Sequence, residues 1–134
     1  MSLNIDYATL ADALDHTAYN TQSDYVLSGG TFGQYSGMFN VDKDTTGKIA
    51  RFYTTILRFN STGSGAKTVK LNVDTGLRPS AKKTIIGHGF ATLGSGEIQT
   101  INTTINTDGT IEISFYCAAS GIYYINIYDT ILFI

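Results

Sequence analysis

The sequence of 134 residues predicts an all-β protein, an antiparallel β-sandwich preceded by a short N-terminal helix or neck. Its composition is rich in residues that suit strands, with 15 Ile, 19 Thr, 9 Tyr and 7 Phe against only 10 Ala, 9 Leu and 2 Glu. Short alternating segments, separated by glycine- and aspartate-containing turns, follow one another at the spacing of a sandwich. We therefore expect a helix or neck over residues 1–20 and a sandwich domain over residues 21–134.

The first twenty residues carry a different pattern. Leu3, Tyr7, Leu10 and Leu14 are spaced by four, three and four residues, which predicts one apolar stripe along a helix. An isolated helix of about fourteen residues is marginal in water, so the stripe needs a packing partner. Two partners are open: the body of the same domain, or other copies of the chain in an oligomeric neck.

The body of the chain divides into strands and turns. We expect strands over residues 49–59, 66–73 and 84–93, with turns at 61–65 and 74–76. Within the second of these strands the alternation predicts three inward residues, Val69, Leu71 and Val73, and three outward residues, Thr68, Lys70 and Asn72.

A hairpin around Asp108 and Gly109 is the best-determined element. A two-residue loop would place Ile105 opposite Glu112, whereas a three-residue loop over 107–109 pairs Ile105 with Ile111. The longer loop also places Gly109 in the left-handed position of a type I turn with a G1 bulge. We predict the three-residue loop.

The last segment, residues 121–134, reads as one strand that is apolar on both faces. One face is expected to cover the core of the domain. The other is expected to cover a neighbouring subunit, because an exposed apolar edge strand promotes aggregation. The alternative is a strand buried between two sheets of one large sandwich.

Charge and cysteine content exclude several classes of function. A net charge of −2 with only nine Lys and Arg residues provides no electrostatic surface for nucleic acid or an anionic membrane. The single cysteine, Cys117, excludes an internal disulfide framework and is expected to be a small core residue. The apolar stretch 122–134 is too short and too interrupted for a membrane span or a signal peptide.

No catalytic residues, metal site or cofactor are predicted. His88 lies between two glycines, and we expect a buried, hydrogen-bonded histidine there, with an ion ligand as the alternative. Asp42 and Asp44 begin a segment like a calcium loop, but Tyr53 stands where the bidentate glutamate would be, so we expect an ordinary polar turn. We predict that the protein is not an enzyme.

Neutral polar and aromatic side chains point instead to carbohydrate recognition. Tyrosine offers a flat apolar ring with a polar tip, and hydroxyls and amides match the hydroxyl groups of sugars. Solvent-facing strands also use Thr and Tyr for purely structural reasons. The candidate ligand-binding residues are Tyr35, Tyr53 and Tyr116, with Asn102 as a polar partner.

Three segments, taken in order, resemble the C-terminal head domains of phage tail fibre and baseplate receptor-binding proteins. The segment 6–14 is similar to the alanine- and leucine-containing phrases that precede such heads. Residues 76–80, Gly-Leu-Arg-Pro-Ser, resemble a Gly-Tyr-Arg-Pro-Ser segment of these domains, and 105–113 resembles their hairpin before the last strand.

The resemblance implies a jelly-roll-like sandwich head that forms a homotrimer in the virion tail, contacts other tail proteins and binds a host cell-surface polysaccharide. It transfers no individual binding residue. Two other functions remain open: a structural tail component without a ligand, and a monomeric carbohydrate-binding module of a secreted protein. A trimer of the C1q and tumour necrosis factor type shares the aromatic final strand.

Overall fold

A computed structural model describes residues 15–36, 39–46, 48–90, 98–127 and 130–133 of the chain. These residues form twelve strands and one 3₁₀ turn, Gln22–Asp24. The strands are β1 (Asp15–Tyr19), β2 (Tyr25–Ser28), β3 (Gly30–Ser36), β4 (Phe39–Lys43), β5 (Ile49–Tyr53), β6 (Ile56–Ser61), β7 (Gly65–Leu71), β8 (Lys83–Phe90), β9 (Ile98–Ile105), β10 (Ile111–Cys117), β11 (Gly121–Tyr124) and β12 (Thr130–Phe133).

All pairings between these strands are antiparallel. A five-stranded sheet has the order β2-β7-β10-β9-β8, a four-stranded sheet has β1-β4-β5-β12, and a three-stranded sheet has β11-β6-β3. The sheets pack against each other, so the structure confirms the all-β antiparallel sandwich predicted from composition and turn spacing.

The two smaller sheets are the halves of one bent layer. Among the twelve described strands, the chain passes from one half to the other three times, from β3 to β4, from β5 to β6 and from β11 to β12. The strands joined in this way occupy the same order in the two halves. At the bend, the Thr54 N–H donates to the Ile127 carbonyl and the Ile125 N–H donates to the Leu57 carbonyl, both at 3.0 Å. This bent layer faces the five-stranded sheet.

The prediction of one strand over residues 49–59 is wrong. The structure has β5 and β6 instead, separated at Thr54 and Thr55. Phe52 and Leu57 are both buried in the core although they are five positions apart in the sequence. A straight strand would place them on opposite faces, so the break allows both side chains to enter the core.

The prediction of one strand over residues 121–134 is also wrong. β11 pairs with β6 in one half of the bent layer and β12 pairs with β5 in the other. One of the two apolar faces covers the core, as predicted, and it is the face of Tyr123, Ile125 and Ile127, which are buried. On the opposite face Ile122 and Tyr124 are half-buried in the single chain. A neighbouring subunit on that face stays a prediction.

Aromatic rings connect the two layers through the core. The rings of Phe59 on β6 and Phe115 on β10 meet edge to face with centroids 5.1 Å apart. Tyr25 on β2 meets Phe39 on β4 in the same way at 5.3 Å. Edge-to-face pairs of this kind stabilise the fold beyond the effect of the apolar area that they bury. They therefore help to hold the two layers at this spacing.

The hairpin between β9 and β10 confirms the predicted register. Ile105 lies opposite Ile111, and Thr104 lies opposite Glu112. The Gly109 N–H donates to the Asn106 carbonyl at 3.0 Å, and Gly109 has φ of +84°. The left-handed glycine closes the three-residue loop, as the apolar pairing requires.

The helix or neck was predicted over residues 1–20, of which residues 1–14 lie outside the described residues. The remaining residues of that segment include β1, which pairs with β4 from Asp15 opposite Lys43 to Tyr19 opposite Phe39. Part of the segment 1–20 is therefore an edge strand of the bent layer.

Candidate functional site

The outer face of the five-stranded sheet is set by alternation along its central strands. In β7, Val69 and Leu71 are completely buried, while Thr68 and Lys70 between and beside them are half-buried and face outward. This confirms the predicted inward and outward positions of those four residues. The same alternation in β10 buries Ile111, Ile113, Phe115 and Cys117 and turns Glu112, Ser114 and Tyr116 outward.

A row of four neutral polar side chains crosses this outer face. Ser28 on β2 lies opposite Thr68 on β7, Thr68 lies opposite Ser114 on β10, and Ser114 lies opposite Asn102 on β9. Directly opposite residues share a face, so these side chains form one line across four strands. With about 4.8 Å between strands, this polar row is about 14 Å long.

Tyr116 stands beside the polar row. It follows Ser114 by two residues on the same face of β10, and 57% of its surface is exposed. Its neighbour on β7 is Ala66, which is small and exposed, so no bulky side chain covers the ring from that strand. Asn102 is its diagonal neighbour, at a distance of about 7–8 Å that an aromatic side chain can reach.

A second row borders the polar row on its other side. It contains one apolar residue, two opposite charges and two hydroxyls, which are Val26, Lys70, Glu112, Thr104 and Thr84 in strand order. The hydroxyls of Thr84 and Thr104 are hydrogen-bonded at 3.2 Å. Because Lys70 and Glu112 lie opposite each other, the face as a whole is close to neutral.

Tyr116 and Asn102 are thus brought together by the fold, and the other two candidates lie elsewhere. Tyr53 is on β5 of the bent layer, where the Arg51 guanidinium lies 5.2 Å from the centre of its ring. Tyr35 is on β3, opposite Leu57 and just after a register shift that begins at Phe32. The Tyr35 side chain lies outside the described part of the structure.

The outer face of the bent layer carries a charged network that the sequence did not reveal. The buried carboxylate of Asp42 on β4 lies between His16 on β1 and Arg51 on β5. Asp42 Oδ1 is 2.5 Å from His16 Nδ1, and Oδ2 accepts hydrogen bonds from Arg51 Nε at 2.8 Å and Nη2 at 2.5 Å. Asp42 and Arg51 lie on consecutive strands, so the register of that hairpin could have indicated their pairing. His16 comes from a strand distant in sequence, and no local pattern could have indicated it.

The calcium-like segment is an ordinary polar turn, as predicted. The Asp44 carboxylate accepts hydrogen bonds from the Thr46 hydroxyl at 2.8 and 3.0 Å and from the Lys48 N–H at 3.2 Å. Among the described residues, no group of three or more His, Cys, Asp or Glu side chains is arranged to hold a metal ion. His88 is on β8 opposite Thr100, and its side chain lies outside the description.

Cys117 is completely buried at the end of β10, as predicted for a small core residue. Burial raises the pKa of its thiol, against the smaller opposing effects of the Ser61 hydroxyl and the Lys67 charge. Because the thiolate is the reactive form, the thiol is poorly suited to nucleophilic chemistry.

The loop 74–78 is a compact structure held by one ion pair. The Asp74 carboxylate accepts hydrogen bonds from Arg78 Nη1 at 2.8 Å, from Arg78 Nη2 at 2.6 Å and from the Gly76 N–H at 2.8 Å. These bonds, the Arg78 pair first, lower the pKa of Asp74 to about 2. Leu77, between the two partners, is completely buried and anchors the loop.

This loop contacts the turn of the β9–β10 hairpin. The Gly109 carbonyl accepts hydrogen bonds from the Thr75 N–H at 3.0 Å and from the Thr75 hydroxyl at 2.6 Å. A Cβ atom at Gly109 would lie 2.7 Å from Arg78 Nη1. Two of the three segments that carry the resemblance to phage proteins therefore meet at one end of the sandwich.

Comparisons with protein-family models, with curated proteins and with solved structures find no match to this chain. In the part of the chain that the structure describes, no helix has the length and apolar character needed to cross a membrane.

Proposed function

We propose that the protein is a head domain of a phage tail fibre or baseplate that attaches, as a homotrimer, to a bacterial cell-surface saccharide. The observation that carries the proposal is the outer face of the five-stranded sheet, where exposed Tyr116 stands beside the polar row of Ser28, Thr68, Ser114 and Asn102. The role is binding without catalysis, and the domain joins the virion through other tail proteins.

The chemistry of this face matches a sugar ring. A tyrosine ring packs against the apolar face of a pyranose, while amide and hydroxyl groups exchange hydrogen bonds with its hydroxyls. Neutral groups lose less hydration free energy on binding than charged ones do. Each site binds weakly, and three sites on one head, with several heads on one virion, raise the overall affinity without new contacts.

The phage context rests on the three resembling segments and their order. Their arrangement supports it further, because the loop 74–78 and the hairpin turn that follows Asn106 form a single contact in the fold. A pair of segments that pack together is expected to be retained together in related domains.

The test is binding of the purified protein to an array of bacterial cell-surface polysaccharides and their mono- and disaccharide fragments. We expect at least one ligand, and we expect Tyr116→Ala to weaken its binding about three- to tenfold. Asn102→Ala should weaken binding of the same ligand.

Tyr53→Ala is the matched control, because Tyr53 is a tyrosine on the opposite layer of the sandwich. The Tyr53→Ala variant should bind the saccharide with the same affinity as the unmodified protein. Absence of any ligand would favour a structural tail component, and loss of binding in Tyr53→Ala alone would move the site to the bent layer.

A further inference from the structure

A cleft lies at one side of the sandwich, between β2 of the five-stranded sheet and β3 of the bent layer. These two strands follow each other along the chain and are joined by the turn at Gly29. The side cleft has a volume of about 250 Å³ and is lined by uncharged residues, which are Gln22, Tyr25, Leu27, Gly30, Thr31 and Phe32. Pockets for drug-sized ligands measure about 300–1,000 Å³, so this smaller cleft has room for a few side chains of a peptide.

The walls of the side cleft are apolar and only partly covered. The rings of Tyr25 and Phe32 meet edge to face with centroids 5.4 Å apart. Leu27 and Phe32 pack against the core but are only half-buried. Because these side chains remain in contact with water, an apolar group that covered them would be bound favourably.

Two strand edges border the side cleft. Among the described strands, β2 pairs only with β7 and β3 pairs only with β6, so each has one edge without a neighbouring strand. Such an edge offers backbone N–H and C=O groups to another extended segment. β2 is the better of the two, because it pairs in unbroken register from Tyr25 to Ser28, whereas the register of β3 shifts between Phe32 and Tyr35.

The sequence before β1 contains a segment whose chemistry matches the side cleft. Leu3, Ile5 and Tyr7 alternate with Asn4 and Asp6, which is the pattern of a strand with one apolar face. This pattern includes Ile5, which the helical stripe over the same residues leaves out. Its apolar face carries no charge, as the cleft carries none, and Asp6 falls on the other face.

The same segment is within reach of β2 in its own chain. Tyr25 Oη donates a hydrogen bond to the Tyr19 carbonyl at 2.6 Å, so β2 begins close to the end of β1. β1 is about 13 Å long, and the seven residues 8–14 can span about 25 Å. A segment that ends with Tyr7 beside Tyr25 runs antiparallel to β2, as all described pairs of strands do.

We propose that residues 3–7 dock in extended form along the open edge of β2 and direct Leu3, Ile5 and Tyr7 into the side cleft. The five-stranded sheet gains a sixth strand in this way, and the apolar walls of the cleft are covered. The docking site lies between the two layers, so it is separate from the outer face that carries the polar row.

The test is an NMR study of the complete 134-residue chain labelled with ¹³C and ¹⁵N. We expect nuclear Overhauser effects between the methyl groups of Ile5 and the rings of Tyr25 and Phe32. We also expect slow hydrogen exchange at the β2 amides that do not bond to β7. Ile5→Asp, which would place a charge in an apolar cleft, should speed exchange at these amides about tenfold or more.

Asn4→Asp is the matched control, because it adds the same charge on the other face of the segment. The β2 amides should exchange in this variant as they do in the unmodified protein. The proposal is overturned if Ile5 shows no Overhauser effect to the side cleft, or if Ile5→Asp leaves the exchange rates unchanged. In a mixture of labelled and unlabelled chains, effects found only between copies would overturn it too, because they would assign the cleft to a second copy. None of these outcomes bears on saccharide binding.

Discussion

At the scale of single residues, Gly109 is the point where the hairpin turn and the loop 74–78 meet. It has φ of +84°, and an added Cβ atom would lie 2.7 Å from Arg78 Nη1 and 3.2 Å from the Leu77 carbonyl. The left-handed backbone alone costs a residue with a side chain about 1–2 kcal/mol. The contact with the loop adds to that cost.

Gly109→Ala should therefore lower the free energy of unfolding by about 2 kcal/mol or more, measured by urea denaturation. Gly63→Ala is the control, because no atom lies within 4 Å of its added Cβ and its φ is not in the left-handed region. We expect a change within about 0.5 kcal/mol there. Equal losses in the two variants would contradict the tight packing at Gly109.

Asp74 gives the protein a defined response to acid. Its pKa of about 2 in the folded protein lies below that of an unfolded chain, where Asp titrates near 3.9. The ion pair with Arg78 therefore adds stability above about pH 4, and this stability is lost as the pH falls towards 2. Hydrogen bonds from Thr110 lower the pKa of Asp108 in the same sense.

Asp74→Asn should be less stable than the unmodified protein at pH 7, and the difference should shrink as the pH falls from about 5 to about 2. Thermal melts across this range measure it. Because the pair is exposed, 1 M salt should also reduce the difference. A difference that stays constant with pH would contradict the role assigned to the Asp74–Arg78 pair.

At the scale of elements, local pairing was predictable and sheet membership was not. The hairpin register follows from the sequence, because only one loop length places Ile105 opposite Ile111. The same register places Ser114 opposite Asn102, so half of the polar row could have been derived from it. The positions of Thr68 and Ser28 in the row could not have been derived in this way, because their strands pair with partners distant in sequence.

The breaks in the bent layer escaped prediction for a related reason. Residues 49–59 and 121–134 look like continuous strands in the sequence. The first segment contains no glycine or proline, and the second contains only Gly121 at its start. The break in the first segment is set by the need to bury Phe52 and Leu57 on the same side, and this need appears only when the opposite sheet is in place.

The Thr54 side chain supplies hydrogen bonds at the break between β5 and β6, where the strand ladder is interrupted. Its hydroxyl donates to the Ile125 carbonyl at 3.2 Å and accepts from the Ile127 N–H at 2.8 Å. Thr54→Val keeps the shape but removes both bonds, and it should destabilise the protein by about 1–3 kcal/mol in denaturant unfolding. Thr45→Val, at an exposed turn position, should change stability by less than about 0.5 kcal/mol. If both variants unfold alike, the hydroxyl does not bridge the break.

At the scale of the whole molecule, the two outer faces of the sandwich differ in character. The five-stranded sheet presents the neutral polar row and Tyr116. The bent layer presents paired charges and half-buried aromatic residues, including Tyr124 with the Arg58 guanidinium 5.3 Å from its ring centre. We assign saccharide attachment to the first face and subunit contact to the second.

The resemblance to phage head domains predicts a homotrimer with a mass of three times 14.5 kDa in light scattering, and this division places its subunit contact on the bent layer. Ile122→Asp, on the half-buried outer side of β11, should shift the mass towards one chain, because a charge would be buried without a partner. Val26→Asp, at a site 56% exposed on the five-stranded sheet, should leave the trimer intact. A mass of one chain for the unmodified protein would contradict this arrangement.

The central claim is that the outer face of the five-stranded sheet binds the saccharide. Its most direct test is to record backbone amide shifts while a disaccharide selected on the array is added to the ¹⁵N-labelled protein. We predict that the largest shifts occur at Tyr116, Ser114 and Asn102. Shifts centred on Arg51 and Tyr53, with none along β9 and β10, would contradict the claim.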